Sequence, residues 1–291
     1  MIPILIRLYR RWRSSRPMKA TMTESAQSPA ARGRLALVAH EARYDLIAAW
    51  RNPRARFFTF FFPVLLLVIF AGMFGNGSTT VDGVKIGLAR FFVPGILAMS
   101  VVTAAYGNVV ISMSAARESG VLKRRRATPV PAGTLVAGKA LSTLVTTIGM
   151  SAVMLAIARV GYGVGFSAGA LAAIAIAVSA GTLAFACLGY AVAGMIGNAD
   201  AAQPIVQATM LPLYFVSGIW IPTDQLPAGL RHIASIFPVE HLAAAAHLAS
   251  VHVSFGGAFA PKDLLVLALW AVGAAAFAAR RFSWLPSTAT S

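Results

Sequence analysis

From Arg56 onward, long apolar runs alternate with short charged clusters. Arg56 and Asp82 bracket 25 uncharged residues, whose core, FFTFFFPVLLLVIFAGMF, runs from Phe57 to Phe74. Arg90 and Arg117 bracket 26 such residues, and Lys139 and Arg159 bracket 19. No charge occurs from Val160 to Ala199; the opening GYGVGFSAG is turn-like, which places the next helix at about Ala168 to Met195. A fifth run lies between Asp200 and Asp224, at about Ile205 to Ile221, and a sixth between Asp263 and Arg280, Leu264 to Ala279. Runs of this length predict an all-α, polytopic membrane protein with six transmembrane helices. The sixth run alone would cover about 24 Å of a hydrocarbon core of about 30 Å. Snorkelling by Lys262 and Arg280, or helical residues beyond them, closes that gap. The stretch His241 to Pro261 carries no formal charge, but three histidines and a Gly-Gly pair argue against a seventh span.

Before the first span, Leu35, Val38, Ala42, Leu46 and Trp50 fall on one face of a helix, with His40, Glu41, Arg43 and Asp45 on others. Arg51-Asn52-Pro53 ends it. The pattern predicts an amphipathic elbow helix lying on the inner leaflet, with Trp50 at headgroup depth and arginines toward anionic lipid.

Composition supports a lipid-solvated chain: 58% of the 291 residues are hydrophobic and 12% are charged, where soluble chains carry about 25%. The net charge of +16 raises the question of nucleic acid. The basic residues instead sit between the apolar runs and cluster on alternate sides, 20 against 5, which is a topological pattern. No nucleic-acid partner is expected, and both termini are placed in the cytoplasm of a cell (plasma or inner) membrane protein. The single cysteine, Cys187, excludes an intrachain disulfide. At the N-terminus the apolar stretch precedes the arginines, the reverse of a signal peptide. Residues 20 to 34 have a disordered composition, and Met22 is the expected true start, with Met18 as the other candidate.

Two segments carry more than topology. The inner loop ARESGVLKRRRATPVPAGTLVAGKALSTLV joins Arg117, Glu118, Gly120 and Leu122 to the basic run from Lys123 and Arg124, then Thr128-Pro129, Pro131 and Gly138-Lys139. Its prolines set off a short exposed helix near Glu118 to Arg126, suited to docking another protein. Gly133 to Lys139 fits G-x-x-x-x-G-K, but Ala140 stands where a magnesium-holding Ser or Thr belongs, and no strand precedes it. If ATP drives this protein, another chain binds it. The second segment follows the fifth run, where Ser217-Gly218, Pro222, Leu226-Pro227 and Pro238 predict short helices dipping into the outer leaflet.

In order, spacing and sidedness these segments resemble the permease subunits of type 2 ATP-binding-cassette exporters, close to the daunorubicin-resistance permease group. The resemblance rests on Arg117-Glu118-x-Gly120-x-Leu122, Thr128-Pro129, Gly138-Lys139, Ser217-Gly218, Pro222, Leu226-Pro227 and Pro238, and runs from about Leu35 to Phe282. The run Lys123 to Arg126 is more basic than the family pattern. The resemblance implies a permease domain over 35–282, flanked by an arm at 1–34 and a cytoplasmic tail at 283–291. It implies a six-span fold with an elbow helix and re-entrant outer helices, and an inner loop that docks on a separate ATPase subunit. It also implies a second permease copy, identical or not. This chain would then be no enzyme and bind no cofactor, with ATP and magnesium held by the ATPase. The expected activity is efflux of a small or amphiphilic, drug-like molecule; export of a polysaccharide or lipid-linked glycan is the alternative.

Among polar residues in the spans, Asn108, Gln203 and Gln207 are candidates for a substrate path. The lack of an uncompensated mid-span acid argues against a proton- or sodium-coupled carrier. His232, His241, His247 and His252 invite a membrane metal enzyme, but spacings of 9, 6 and 5 put no two on one helical turn, and only Glu240 stands near them. No metal site is expected.

Overall fold

The apolar runs become helices in a computed structural model that describes residues 33–281 apart from 75, 76, 82, 127–129, 131 and 253. The expectations for the arm before Gly33, Met22 among them, and for the tail at 283–291 lie outside the described residues, as do Thr128 and Pro129. Among the described residues, five helices are long and apolar enough to cross a membrane: Phe57–Phe74, Leu88–Glu118, Gly133–Tyr162, Ala168–Ala193 and Pro261–Arg280.

We label the elements in chain order. Helix α1 spans Arg34–Arg51; after Asn52 a single turn, Pro53–Arg56, leads into α2, Phe57–Phe74. A hairpin follows, β1 (Ser78–Val81) and β2 (Val84–Gly87). Then come α3 (Leu88–Glu118), α4 (Val121–Arg126), α5 (Ala132–Tyr162) and α6 (Ala168–Ala193). Helix α7 is Ala202–Val216, α8 is Ala228–Ala234, α9 is Pro238–Val251, α10 is Phe255–Ala258 and α11 is Pro261–Arg281.

Three departures from the sequence expectation have physical causes. The hairpin is the first: Ser78 pairs with Gly87 and Val81 with Val84, leaving a two-residue turn in which Gly83 takes φ +76°. Thr-Val-Asp-Gly-Val-Lys-Ile carries that signal, since Asp-Gly supplies the positive φ that such turns need. Second, the helix of the fifth run is α7, 15 residues long, and it stops at Val216 where about Ile221 was expected. Gly218, at φ +76°, turns the chain there, and Ile219 packs into the bundle at 0% exposure. Third, α5 begins well before Lys139, so Gly133 to Lys139 is continuous helix and offers no phosphate-cradling loop. The last helix extends beyond Leu264–Ala279 at both ends, to 21 residues. Its length of about 31 Å at 1.5 Å per residue matches the hydrocarbon core.

Helix α3 is the hub. Of its most apolar stretch 83% is buried, against 22% for α2 and 17% for α11. In lipid, apolar burial adds little between helices, so close packing of small residues and interhelical hydrogen bonds hold them together. Both are present. A Cβ on Gly95 of α3 would lie 2.6 Å from the Ile219 carbonyl, and one on Gly189 of α6 would lie 3.0 Å from Val109. Thr147 and Thr182 join α5 to α6 at 2.9 Å, and Tyr106 and Thr209 join α3 to α7 at 3.0 Å.

Pro227 caps α8 and Pro238 opens α9, as their fixed φ favours. Helix α9 buries Val239, Leu242, Ala243, Ala245, Ala246 and Ala249 and packs on α3 and α6. Leu242 meets Gly181, midway along α6. His247 stacks on Phe91 at 4.7 Å, and its Nε2 lies 3.1 Å from the Gly218 carbonyl.

Replacing Gly95 by Ala pushes a methyl into backbone, and overpacking of this kind costs about 1–3 kcal/mol. A lowered unfolding temperature of the detergent-purified chain checks this. Gly149→Ala, with nothing within 4 Å of its Cβ position, is the control and is expected to be neutral or slightly stabilising.

Candidate functional site

Helix α3 ends where the Ser119 hydroxyl donates to the Ala115 carbonyl at 2.8 Å and Gly120 takes φ +71°. That residue type at that turn lets the chain reverse and start α4, whose Arg124 N–H returns to the Gly120 carbonyl at 3.1 Å. Six residues make a helix with two distinct sides. Leu122, 4% exposed, plugs into the bundle, while Lys123 and Arg124 are exposed. Arg125 reaches back, its Nη1 donating to Glu41 Oε2 of α1 at 2.8 Å.

The α1–α5 seam lies beside it. A Cβ on Gly138 would stand 2.6 Å from Glu41 Cβ and 3.4 Å from the Val38 carbonyl and the Ala42 nitrogen, so only glycine lets these helices touch. One residue later, Lys139 Nζ donates to Asp45 Oδ1 at 2.9 Å and Oδ2 at 3.1 Å, and the Ser142 hydroxyl donates to the same carboxylate. The Gly-Lys pair therefore serves a helix contact. Glu41, Asp45, Leu122, Arg125, Lys139 and Tyr190 line a cavity of about 180 Å³ between α1, α3, α4, α5 and α6. The sequence placed Glu41 and Asp45 on faces away from the apolar stripe of α1; in the fold they face the bundle together with Ala42.

The remaining inner-loop candidates separate. Arg117 is buried at 6% exposure. Glu118 turns the other way, and its Oε2 accepts the Ala199 N–H at 2.7 Å, at the turn Ala199–Ala201 that leads into α7. The structure thus ties the end of α3 to the start of α7 through this carboxylate.

Of the outer candidates, Ser217, Gly218, Pro222 and Pro238 are buried, Leu226 is half-buried and Pro227 is exposed. The proposed path residues diverge. Asn108 donates to Thr59 of α2 at 2.9 Å, whereas Gln203 and Gln207 are exposed on α7. Thr59 lies in a π-helical turn, Phe57–Phe61, and Asn108 directly follows another, Thr103–Gly107. Sequence reasoning missed Glu41, Asp45, Arg125, Ser142 and Thr59 as members of these contacts. One signal was available: with only nine acidic residues in the chain, two stand four apart on α1, one face of a helix.

Residues 41–250 match the ABC-2 type transporter family. The chain is similar to the inner membrane transport permease YadH of Escherichia coli (strain K12), with 23% identity over 187 residues, 62% of this chain and 70% of that protein. It is also similar to the probable multidrug ABC transporter permease YbhR of the same organism, with 28% identity over 153 residues, 52% of this chain and 41% of that protein.

The Lys139–Asp45 pair is mostly shielded, with side chains 15% and 30% exposed. Asp45→Lys and Lys139→Asp are each expected to lower the unfolding temperature. The double swap is expected to recover part of the loss, with a coupling energy of about 1 kcal/mol or more in a double-mutant cycle. Additive losses would show that the pair does not hold the seam.

Proposed function

The chain belongs to the ABC-2 type transporter family, and from that premise we propose that this ABC transporter permease exports a small or amphiphilic molecule, driven by a separate ATPase subunit. The observation that carries the reading is the arrangement of α4. One side is locked to α1 and the bundle through Arg125–Glu41 and Leu122, while Lys123 and Arg124 stand exposed. A short helix anchored on one side and charged on the other is suited to receive a push from a partner. Here α4 is the docking helix, with Lys123 and Arg124 as its contact residues. Arg117, Gly120 and Leu122 hold it in place, Glu118 ties its root to the start of α7, and Gly138-Lys139 set the α1–α5 seam beside it; Thr128-Pro129 follow it in the sequence.

In this reading ATP and magnesium are held by the ATPase, and this subunit performs no hydrolysis. ATP-driven closure of the ATPases would hold α4 differently in two states. That difference biases the packing of the helices between inward- and outward-open arrangements. The Glu118–Ala199 contact, which ties the ends of α3 and α7, is one junction that such a change would remake. Six spans follow if α7, although only 15 residues long, completes a crossing with its flanking turns. Helix α1 is then the elbow at the inner leaflet, α8 and α9 form the re-entrant outer segment, and both termini are cytoplasmic. A second permease copy would pack on the bundle. Gln203 and Gln207, exposed on α7, and Asn108 between the two π-helical turns are the polar groups offered to cargo. Drug-like cargo is supported by the similarity to YbhR, a probable multidrug ABC transporter permease.

Replacing Lys123 and Arg124 together by Glu is expected to abolish ATP-driven efflux and co-purification of the ATPase, while membrane insertion and unfolding temperature stay unchanged. Full efflux by that variant would remove α4 as the docking helix. The topology has its own check. In a Cys187→Ala background, Ser119→Cys is expected to react with an impermeant maleimide only in inverted vesicles. Labelling from the outside of intact cells would overturn the assignment.

A further inference from the structure

The first turns of α9 and α11 bring together three groups that the sequence holds apart: Glu240, His241 and Asp263. We propose that they form a binding site for one divalent transition-metal ion of the zinc class, which clamps the outer segment to the last helix.

The ring of His241 fixes the argument. Its Nε2 lies 2.9 Å from the Ser235 carbonyl, which can only accept, so Nε2 carries a hydrogen. Its Nδ1 lies 2.7 Å from Asp263 Oδ1 and 3.5 Å from Glu240 Oε2. All three ligand atoms fall within 4.8 Å of one another. A nitrogen lone pair and two carboxylates cannot converge unless a cation lies among them, either a proton or a metal ion. A proton sits on one line and serves Asp263. It leaves the Glu240 carboxylate, 16% exposed, without a hydrogen-bond donor among the described residues. Lys262, exposed on α11, makes no ion pair with Glu240 within 4 Å.

A metal ion answers both carboxylates at once. Zinc bonds to nitrogen and oxygen are about 2.0–2.2 Å long, so tetrahedral ligand atoms stand roughly 3.3–3.6 Å apart. Of the distances from Nδ1, 3.5 Å to Glu240 matches that spacing, and 2.7 Å to Asp263 is shorter, so the Asp263 carboxylate moves outward to admit the ion. The N–H of His241 on a backbone carbonyl is the outer-shell contact that orients a ligating imidazole. One imidazole with two carboxylates suits zinc, manganese or cobalt better than copper(I), which takes sulfur, or calcium and magnesium, which take oxygen alone. Three protein ligands leave a fourth position for water.

The test uses the full chain, purified in detergent on a tag without histidine and with His40, His232 and His252 replaced by Asn, so that accessible imidazoles outside the site do not bind. Zinc chloride is titrated by calorimetry and by thermal unfolding, and cobalt(II) by visible absorption. One equivalent per chain, a raised unfolding temperature reversed by EDTA, and tetrahedral cobalt bands are expected. Asp263→Asn should abolish binding, and Glu240→Gln should weaken it by about tenfold or more. Glu240→Gln also remains readable should Asp263→Asn fail to fold, because the Glu240 carboxylate accepts no hydrogen bond among the described residues. No response to zinc, cobalt or manganese overturns the proposal, as does equal affinity in Glu240→Gln. So does stability that follows pH through the imidazole range and is unmoved by added zinc, cobalt or manganese, which is a proton bridge alone.

Discussion

Contact between α1 and α5 is the interaction on which the α4 end of the molecule depends. Gly138 lets the two backbones approach, and the carboxylate of Asp45 then collects Lys139 and Ser142. A helix rich in exposed charge has little reason to stay on an apolar bundle. These groups give α1 a fixed register against α5, and once α1 is fixed, Glu41 is in place to hold Arg125. The position of α4 is thus set by a chain of pairs that begins with a missing side chain.

Where the fold was legible, the physics is local. The first span runs from Phe57 to Phe74 because charges bound it and none interrupts it, and the fold places a helix over those residues. Pro227 and Pro238 marked helix starts, since a proline's fixed φ and missing N–H suit a first turn wherever the chain goes next. The set-off helix near Glu118 to Arg126 was read from the prolines, and the fold places a helix at Val121–Arg126, after a turn at Gly120.

What could not be read is pairing across sequence. Glu41 and Arg125 stand 84 residues apart, Asn108 and Thr59 stand 49 apart, and no pattern along the chain names such partners. Glu118 shows the difficulty most plainly. Beside a basic run it looks like a docking charge, yet its carboxylate holds a backbone N–H 81 residues away. The end of α7 was misread for a related reason. Leu211 to Ile221 is apolar almost throughout, and hydropathy cannot see that Gly218 turns the chain so that Ile219 can lie against Gly95.

Helix α5 is 31 residues long, about 46 Å of unbroken hydrogen-bonded rod, longer than a bilayer's apolar thickness of about 30 Å. It contains no proline and no interruption from Ala132, two turns before Lys139, to Tyr162 at the other end. The Tyr162 hydroxyl holds the Val68 carbonyl of α2 at 3.0 Å. A rod of this stiffness does not absorb displacement along its axis. Tilting or sliding it at the Lys139 end therefore tugs on α2 at the far end in the same motion. The molecule carries, in one element, a tie-rod between its two faces.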